Sequence, residues 1–401
     1  MECIEPGRVL VGPRRKDGDS SAIAERLSKE FGSDFQYQFG IDDILRQNDV
    51  KPPSLPLPFV GRVPEGAEEH IAARISDIAG DEVGAATPDY LVRPSAPITI
   101  DNTALKQAVQ DIMAQPKSNS CGLGCVIGVL DSGIDPTVLP NATLHHRQYD
   151  ALTPTAIGST LADPNGHGSL VARIVSSVAP GATLLSVKTF DRTGTISSVI
   201  AALYLAHAAG PCDILNLSLS VSCAPVPCAF CHTPTPAAAN VGQLAYFFQT
   251  FLQNAPHTVL VAAAGNNVQQ LTLPADFNHV IAVGSFDYGL RQPISNYKQV
   301  PSNRFVLAPG GQSAPGKAFA QRPGFRQPEY LHGTSFAAAF VSGFAAKVVC
   351  SLKNSGCGQR QSSATKPTSL LTNVLQEIDS RTLKQWPGFS RSHHGLGAII
   401  F

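Results

Sequence analysis

The segment VIGVLDSG, residues 126–133, is an uncharged aliphatic run of five residues followed by Asp131, Ser132 and Gly133. Such a run is typical of a strand buried on both faces of a parallel sheet. Similar runs recur downstream, with helical periodicity between them. We therefore predict strands over 126–130, 183–187, 214–219, 259–263 and 280–283, and helices over 169–178, 197–208, 241–253 and 335–350. Alternation of this kind predicts an α/β fold whose mostly parallel sheet carries helices on both faces.

The first 95 residues follow a different pattern, in the order strand, helix, strand, strand, helix, strand. The predicted strands cover 8–11, 35–40, 59–63 and 90–92, and the helices cover 22–31 and 68–78. A proline-rich stretch at 51–58 interrupts regular structure. This order fits a small ferredoxin-like α/β module. We therefore predict two domains, 1–95 and 96–401.

Composition excludes several classes of protein. The 401 residues contain 30 basic and 30 acidic side chains. The protein therefore has no net positive charge that would attract nucleic acid or an anionic membrane. The longest apolar stretches, 199–209 and 336–346, are shorter than the ~20 residues that cross a bilayer. The N-terminus has acidic residues and no apolar signal segment, which predicts a cytoplasmic protein and leaves secretion by another route open. The nine cysteines are then expected as thiols.

Three polar residues occupy positions where chemistry is expected. Asp131 follows a predicted strand, His167 lies between two glycines where a helix begins, and Ser335 begins another helix. Asp131 and Ser335 alone also have ordinary structural interpretations, as a turn aspartate and a capping serine. A core histidine would rarely lie between two glycines, as His167 does. Together they supply the carboxylate, imidazole and hydroxyl that acyl transfer requires.

The segments around these residues resemble the three signatures of the subtilisin-like serine peptidase family, the subtilases. They read VLDSGID at 129–135, NGHGS at 165–169 and HGTSFA at 332–337. The resemblance implies a catalytic triad of Asp131, His167 and Ser335. The segment VLVAAAGNN, 259–267, is similar to the family's strand that ends in the oxyanion asparagine, which implies that role for Asn266.

The resemblance also implies a substrate site. NLSLS, 216–220, looks like the family's substrate-binding edge strand, with Ser218, Leu219 and Ser220 along the peptide. Leu219, Ala263 and Gly265 would line the S1 pocket. The chain departs from the family in two places: Ser220 stands where glycine is usual, and FAAA at 336–339 replaces the usual Met-Ala-Ser-Pro.

Residues 1–95 resemble the propeptide of the same family. The resemblance implies a module that assists folding, then inhibits by laying its last strand in the cleft, with a cut near Pro94–Pro97. The expected partners are a protein or peptide substrate and this module. We expect no cofactor and no metal, since no acidic loop has the EF-hand pattern. Cys223, Cys228, Cys231 and His232 have ligand-like spacing, open to three interpretations: reduced thiols, a disulfide or a zinc site.

The sequence thus predicts a serine endopeptidase, regulated by its N-terminal module. Two other functions stay open: a catalytically silent peptide-binding scaffold, and an esterase or transpeptidase that uses the same site. For the enzyme, kcat/KM should rise from acid pH through the histidine range, because the base must be neutral to act.

Overall fold

The structure is a computed structural model. It describes residues 4–14, 19–53, 56–92, 99–100, 106, 108, 122–139, 141–152, 163–191, 193–210, 212–221, 238–266, 270–288, 290–295, 297, 299–312, 318–322, 329–354 and 370–399.

The N-terminal module is an antiparallel sheet with helices. Its strands are β1 (Ile4–Pro13), β2 (Gln36–Gly40), β3 (Phe59–Arg62) and β4 (Val83–Val92), and its helices are α1 (Ser20–Phe31), α2 (Ile41–Gln47) and α3 (Glu68–Ile78). The strand order is β4-β1-β3-β2, and every pairing among these four strands is antiparallel. The predicted ferredoxin-like arrangement is therefore confirmed. Apolar side chains of α1 and α3, including Leu27 and Ile75, pack on one face of this sheet.

Helix α2 was not predicted, because it directly precedes the proline-rich stretch. Its signal is nevertheless present: Ile41, Ile44 and Leu45 have helical spacing and are fully buried. Asp43 stabilises the start of the helix by accepting a hydrogen bond of 2.7 Å from the Gly40 N–H. The module therefore has an additional apolar face that its own sheet does not account for.

The larger part of the chain is built on a mostly parallel sheet. Its strands run in the order β18-β19-β15-β13-β12-β11-β6-β9-β7, with β18 antiparallel to β19 and the other neighbours parallel. The bounds are β6 (Val126–Asp131), β7 (Thr143–Leu144), β9 (Thr183–Lys188), β11 (Ile214–Leu217), β12 (Val259–Ala263), β13 (Val280–Asp287), β15 (Phe305–Pro309), β18 (Thr382–Leu383) and β19 (Ala398–Ile399). This confirms the predicted fold class.

Short strands lie at the margins of this sheet or outside it. They are β5 (Thr99–Ile100), β8 (Tyr149–Asp150), β10 (Gly194–Thr195), β14 (Gln292–Pro293), β16 (Ala320–Arg322) and β17 (Glu329–Leu331). Strand β8 pairs with β9, and β14 pairs with β13. Strand β10 instead joins the sheet of the N-terminal module, so the two parts of the chain share a ladder.

Helices cover both faces of the parallel sheet. They are α4 (His167–Val178), α5 (Ile196–Ala208), α6 (Ala238–Asn254), α7 (Thr334–Asn354), α8 (Leu370–Ser380) and α9 (Arg391–His394). Residues of α4 and α7 fill the core on one face, and residues of α5 and α6 fill the core on the other. Within the described residues, one helical segment, Thr334–Lys353, is long and apolar enough to span a membrane, but 78% of it is buried inside the molecule. It packs as the central helix of the fold.

The module and the larger part of the chain share one hydrophobic cluster. Ile44 and Leu45 of α2, and Tyr90 and Val92 of β4, belong to the same buried cluster as the side chains of α5. Asn48, at the end of α2, adds polar contacts: its Nδ2 donates to the Asp150 carbonyl at 2.7 Å, and the Asp150 N–H donates to its Oδ1 at 2.9 Å. The module is thus held by apolar packing and by a two-bond amide contact.

Candidate active site

Three adjacent strands bring the predicted polar residues to one edge of the sheet. Strand β11 lies between β6 and β12 and is parallel to both. Parallel strands end at the same edge, where ligands bind in open α/β sheets. Asp131 ends β6, Ser218 follows β11, and Gly265 and Asn266 follow β12. Backbone topology alone therefore places residues that are 135 positions apart in sequence, Asp131 and Asn266, at the same edge.

Asp131 and His167 form a buried pair. The Asp131 Oδ1 lies 2.8 Å from the His167 Nδ1, and the two residues are 0% and 4% exposed. The Asp131 Oδ1 also accepts a hydrogen bond of 2.8 Å from the Ser132 N–H. An Nδ1–H that donates to the carboxylate leaves Nε2 with a free lone pair, which is the tautomer that a general base needs.

The electrostatics of the pair favour the charged imidazole. Burial lowers the pKa of His167, but the negative charge and hydrogen bond of Asp131 raise it, and the charge of Asp163 raises it further. The net direction is a pKa above the ordinary 6.5. The surroundings of His167 therefore stabilise its protonated, charged form.

Ser335 is the second residue of the central helix α7. The ring of Phe336, its neighbour, lies with its centroid 5.6 Å from that of His167. The Ser335 Oγ donates to the Ser218 carbonyl at 3.1 Å, and the Ser218 Oγ donates to the Ser335 carbonyl at 2.7 Å. Catalytic hydrogen bonds are often formed only when substrate binds, so this orientation of the hydroxyl is compatible with attack after rotation about its Cα–Cβ bond.

Gly333 lets the chain turn tightly into this helix. Its φ is +140°, in a region that favours glycine, and a Cβ there would lie 2.7 Å from the Asn266 Oδ1. The side chain of Asn266 thus packs directly on the backbone that precedes the serine. Any larger residue at 333 would push Asn266 away from Ser335.

Asn266 is held by its amide oxygen. Its Oδ1 accepts from the Thr334 N–H at 2.8 Å and from the Thr334 Oγ1 at 3.1 Å. The side chain is otherwise exposed, so the Nδ2 faces solvent at the edge of the sheet. The Ser335 N–H lies in the first turn of α7, where backbone N–H groups lack intrahelical acceptors and the helix dipole favours negative charge. Through Thr334, the Asn266 amide is thus held beside the residue that precedes Ser335.

The predicted substrate strand is shorter than expected. The sequence predicted a strand over 214–219, but β11 ends at Leu217, and Ser218–Ser220 have no strand partner among the described residues. The prediction of strand through Leu219 was therefore wrong. Pairing resumes at Val221, which forms antiparallel bridges with Val92 of the module and with Leu273. Ser218–Ser220 are thus a segment without a pairing strand among the residues that the structure describes.

The side chains predicted for the S1 pocket lie in the same region. Leu219 and Ala263 are 2% and 3% exposed. The Gly265 N–H donates to the Thr334 Oγ1 at 3.1 Å, which ties the end of β12 to the residue before Ser335. The Gly265 carbonyl accepts from the buried Tyr297 hydroxyl at 2.6 Å, so the peptide groups before and after Gly265 each have a hydrogen-bond partner.

These observations agree with a comparison of whole sequences. The profile of the Subtilase family matches residues 122–377, which is more than half of the chain. The chain belongs to the subtilase family. A thermophilic serine proteinase from Bacillus sp. (strain AK1) is 30% identical over 261 residues, which cover 58% of this subtilase and 53% of that proteinase. This subtilase therefore spans about half the length of that relative.

Solved structures share the fold of this subtilase. Fervidolysin from Fervidobacterium pennivorans, a keratinolytic enzyme related to subtilisin, superposes with a TM-score of 0.66 at 16% identity. The match covers 99% of this chain, including the N-terminal module, and 60% of fervidolysin. The protease domain of PatA gives a TM-score of 0.51 at 25% identity over 71% of this chain and 94% of that domain.

Several predictions fall outside the described residues. Cys223, Cys228, Cys231 and His232 lie there, as does the predicted cut near Pro94–Pro97. Within the part of the chain that the structure describes, no group of three or more His, Cys, Asp or Glu side chains has the arrangement of a metal site. Among the described cysteines, Cys125 is fully buried, and burial raises the pKa of its thiol to about 12.

Sequence reasoning did not single out Asp163. It lies four residues before His167 in the segment DPNGH, 163–167, and could have been recognised as a capping carboxylate that precedes a helix. In the structure it accepts hydrogen bonds from the start of helix α4 and from Ser132.

Proposed function

We propose that this subtilase is a serine endopeptidase, with Ser335 as nucleophile, His167 as general base and acid, Asp131 as its orienting carboxylate and Asn266 in the oxyanion hole. The observation that carries the proposal is the buried contact of 2.8 Å between His167 and Asp131 at the sheet edge where Ser335 and Asn266 also lie. The matched Bacillus relative, a serine proteinase, supports the same reaction class.

In the proposed reaction, His167 Nε2 accepts the Ser335 proton as Oγ attacks the scissile carbonyl. The imidazolium is stabilised by Asp131, and the oxyanion is bound by the Asn266 amide and the Ser335 N–H. The imidazolium then protonates the leaving amine, and the acyl-enzyme forms. Water deprotonated by His167 attacks the ester, which releases the acid and restores Ser335.

The proposed substrate is an extended peptide that pairs with Ser218–Ser220. This edge segment lacks a pairing strand among the described residues, and added strands commonly bind to such edges. Val92 already forms an antiparallel bridge with Val221, which directly follows Ser220. This bridge supports antiparallel pairing of the peptide with the segment. Leu219, Ala263 and Gly265 would form the S1 pocket, with a weak preference for an apolar side chain.

We also propose that the N-terminal module inhibits the enzyme before activation. Its strand β4 pairs with β10 through Val92 and Gly194, and Val92 also bridges to Val221. The last residues of β4 therefore lie between the two segments that would flank a substrate. The buried Asp89 anchors the strand, because its carboxylate accepts hydrogen bonds of 2.9 and 2.7 Å from the Ser197 N–H and Oγ at the start of α5. Cleavage near Pro94–Pro97 would separate the module from the enzyme.

A second candidate, a catalytically silent peptide-binding scaffold, has one specific observation in its favour. The docked module occupies the cleft margin and shares a hydrophobic cluster with α5, so it could stay bound permanently. The esterase or transpeptidase alternative uses the same residues and differs only in the leaving group or acceptor.

Intact-mass analysis of wild type and Ser335→Ala, with and without a fluorophosphonate, tests these functions. A peptidase that processes itself gains one adduct and loses about 95 residues in the wild type alone. A silent scaffold gives neither change in either protein. Comparison of peptide and ester turnover, with an added amine acceptor, then distinguishes a peptidase from an esterase or a transpeptidase.

A further inference from the structure

We propose that Asp163 is a positioning residue for His167, which locks the start of helix α4 to the loop that carries Asp131. The proposal rests on the proposed function for its kinetic consequences, but its structural part is independent of turnover. Asp163 does not contact the nucleophile. It acts on the geometry of the pair that does the proton transfer.

The carboxylate of Asp163 connects two segments of the site. Its Oδ1 accepts from the Ser132 Oγ at 2.8 Å and from the Gly166 N–H at 2.9 Å. Its Oδ2 accepts from the Ser169 N–H at 2.8 Å and from the Ser169 Oγ at 2.6 Å. Ser132 follows Asp131 directly, and Gly166 and Ser169 flank His167 on helix α4. One carboxylate thus receives four hydrogen bonds from residues next to both members of the pair.

The two serine hydroxyls extend this connection. The Ser132 Oγ accepts from the Gly168 N–H at 3.0 Å, and the Ser169 Oγ accepts from the Asp135 N–H at 2.9 Å. The Ser132 Oγ lies 2.8 Å from the Asp163 Oδ1 and 3.2 Å from the Asp131 Oδ1, so its single proton is directed to the two carboxylates, with Asp163 the nearer. The Ser169 hydroxyl donates to Asp163, and the lone pairs of both hydroxyls face the N–H groups. The anion therefore sets the direction of two bonds that cross between the loop and the helix.

The loop and the helix are already in close contact, so small movements matter. A Cβ at Gly168 would lie 2.2 Å from the Gly133 carbonyl oxygen and 3.1 Å from the Asp131 Cβ. If the four bonds of Asp163 were weakened, the loop at Gly133 and the helix at Gly168 would move apart, and the imidazole would move relative to Asp131. A misplacement of about 1 Å in a catalytic site can cost about 100-fold in rate.

Charge provides a second, separable effect. Burial lowers the pKa of His167, and the carboxylates that raise it are Asp131, through charge and a hydrogen bond, and Asp163, through charge alone. Removal of the Asp163 charge should therefore lower the pKa of His167. Displacement of the imidazole from Asp131 would also lower that pKa, so the charge effect is the additional shift in Asp163→Asn over a variant that keeps the carboxylate.

The first experiment uses the full chain with Ser335→Ala, which cannot process itself if Ser335 is the nucleophile. The far-downfield Nδ1–H proton of His167 is followed by NMR against pH, with and without Asp163→Asn. We expect the midpoint of the titration to move to lower pH in Asp163→Asn. The matched control is Asp135→Asn, which removes a carboxylate that caps the neighbouring turn through Thr137 and should leave the midpoint unchanged. An unchanged midpoint in Asp163→Asn overturns the claim that the Asp163 charge raises the pKa of His167.

The second experiment measures peptide hydrolysis in the full chain that retains Ser335, with and without Asp163→Asn or Ser169→Ala. An asparagine at 163 offers one oxygen and one NH2 group, so it cannot accept from both Ser132 and Ser169. We expect kcat to fall about 10- to 100-fold with KM changed less than about twofold. Ser169→Ala keeps the charge and removes one connection, so it should lower kcat and shift the pH midpoint less than Asp163→Asn does. Full kcat in both variants overturns the positioning role.

These outcomes also distinguish the proposal from the proposed function. If the NMR midpoint moves in Asp163→Asn but the wild type neither cleaves peptides nor reacts with fluorophosphonate, the endopeptidase assignment fails and the positioning of His167 stands. If Asp163→Asn does not fold, Ser169→Ala and Asp163→Glu decide. The glutamate variant keeps the charge, so its midpoint should lie nearer to wild type than that of Asp163→Asn while kcat falls.

Discussion

The contact between Asn48 and Asp150 offers a direct way to loosen the N-terminal module. Asn48→Ala removes two hydrogen bonds, of 2.7 and 2.9 Å, that join helix α2 to strand β8. It leaves the apolar residues of α2 in place. We expect the last strand of the module to leave the cleft margin more often, because this contact is one of its polar anchors.

The expected size follows from the two bonds. A hydrogen bond of this kind contributes about 1 kcal/mol net, so the loss of both weakens docking by about 2 kcal/mol. At about 1.4 kcal/mol per factor of ten, the docking equilibrium should shift about 30-fold toward the open state. Asn48 Nδ2 also donates to the Ile44 carbonyl at 2.9 Å within its own helix, and the control must account for that bond.

Hydrogen exchange is the suitable assay, in a Ser335→Ala background that keeps the chain intact if Ser335 is the nucleophile. Peptides that contain Leu91 and Val92 should exchange about 30-fold faster in Asn48→Ala, since exchange through local opening follows the opening equilibrium. The matched control is Asn254→Ala, because Asn254 Nδ2 donates to the Thr250 carbonyl at 2.7 Å within its own helix. Equal exchange of β4 in the two variants would refute the anchoring role of Asn48.

Three further predictions concern the oxyanion donor, the base and the module. Asn266→Ala should lower kcat by about 100- to 1,000-fold with little change in KM, since a donor used mainly in the transition state is lost; steady-state kinetics checks this. The raised pKa of His167 predicts that the acid limb of kcat/KM lies above pH 6.5, and a midpoint below it would contradict the Asp131 contribution. Burial raises the pKa of Asp89 above 3.8 in the docked module, partly offset by hydrogen bonds from Ser197. Docking should therefore take up a proton and weaken as pH rises through that pKa. In the Ser335→Ala chain, exchange of β4 amides, corrected for the intrinsic rate, should depend less on pH in Asp89→Asn.

Much of the site was predictable because it depends on the ends of strands. Asp131 ends an apolar run, and the carboxyl ends of parallel strands necessarily lie at one edge. Gly333 and Gly168 stand where a side chain would collide with Asn266 or with the loop after Asp131, so their presence in the sequence already marked close approaches. Short motifs encode such local geometry directly.

Other features depend on contacts between distant segments. Asn48 and Asp150 are 102 residues apart, and nothing in either local sequence indicates their pairing. Helix α2 has only seven residues, and its stability comes from burial of its apolar face against α5, which no local pattern reveals. The early end of β11 has a similar cause, because a strand assignment depends on a partner, and Ser218–Ser220 lack one among the described residues.

The hydrophobic cluster that the module shares with helix α5 has a consequence for heating. Ile44 and Leu45 of the module and Leu203 of α5 belong to one cluster, so loss of either part removes the packing partners of the other. The two parts then melt as one cooperative unit, although the chain order presents them as separate domains. Exchange of the module for that of a distant subtilase would therefore need matched substitutions along α5, because the boundary between the two parts runs through a core.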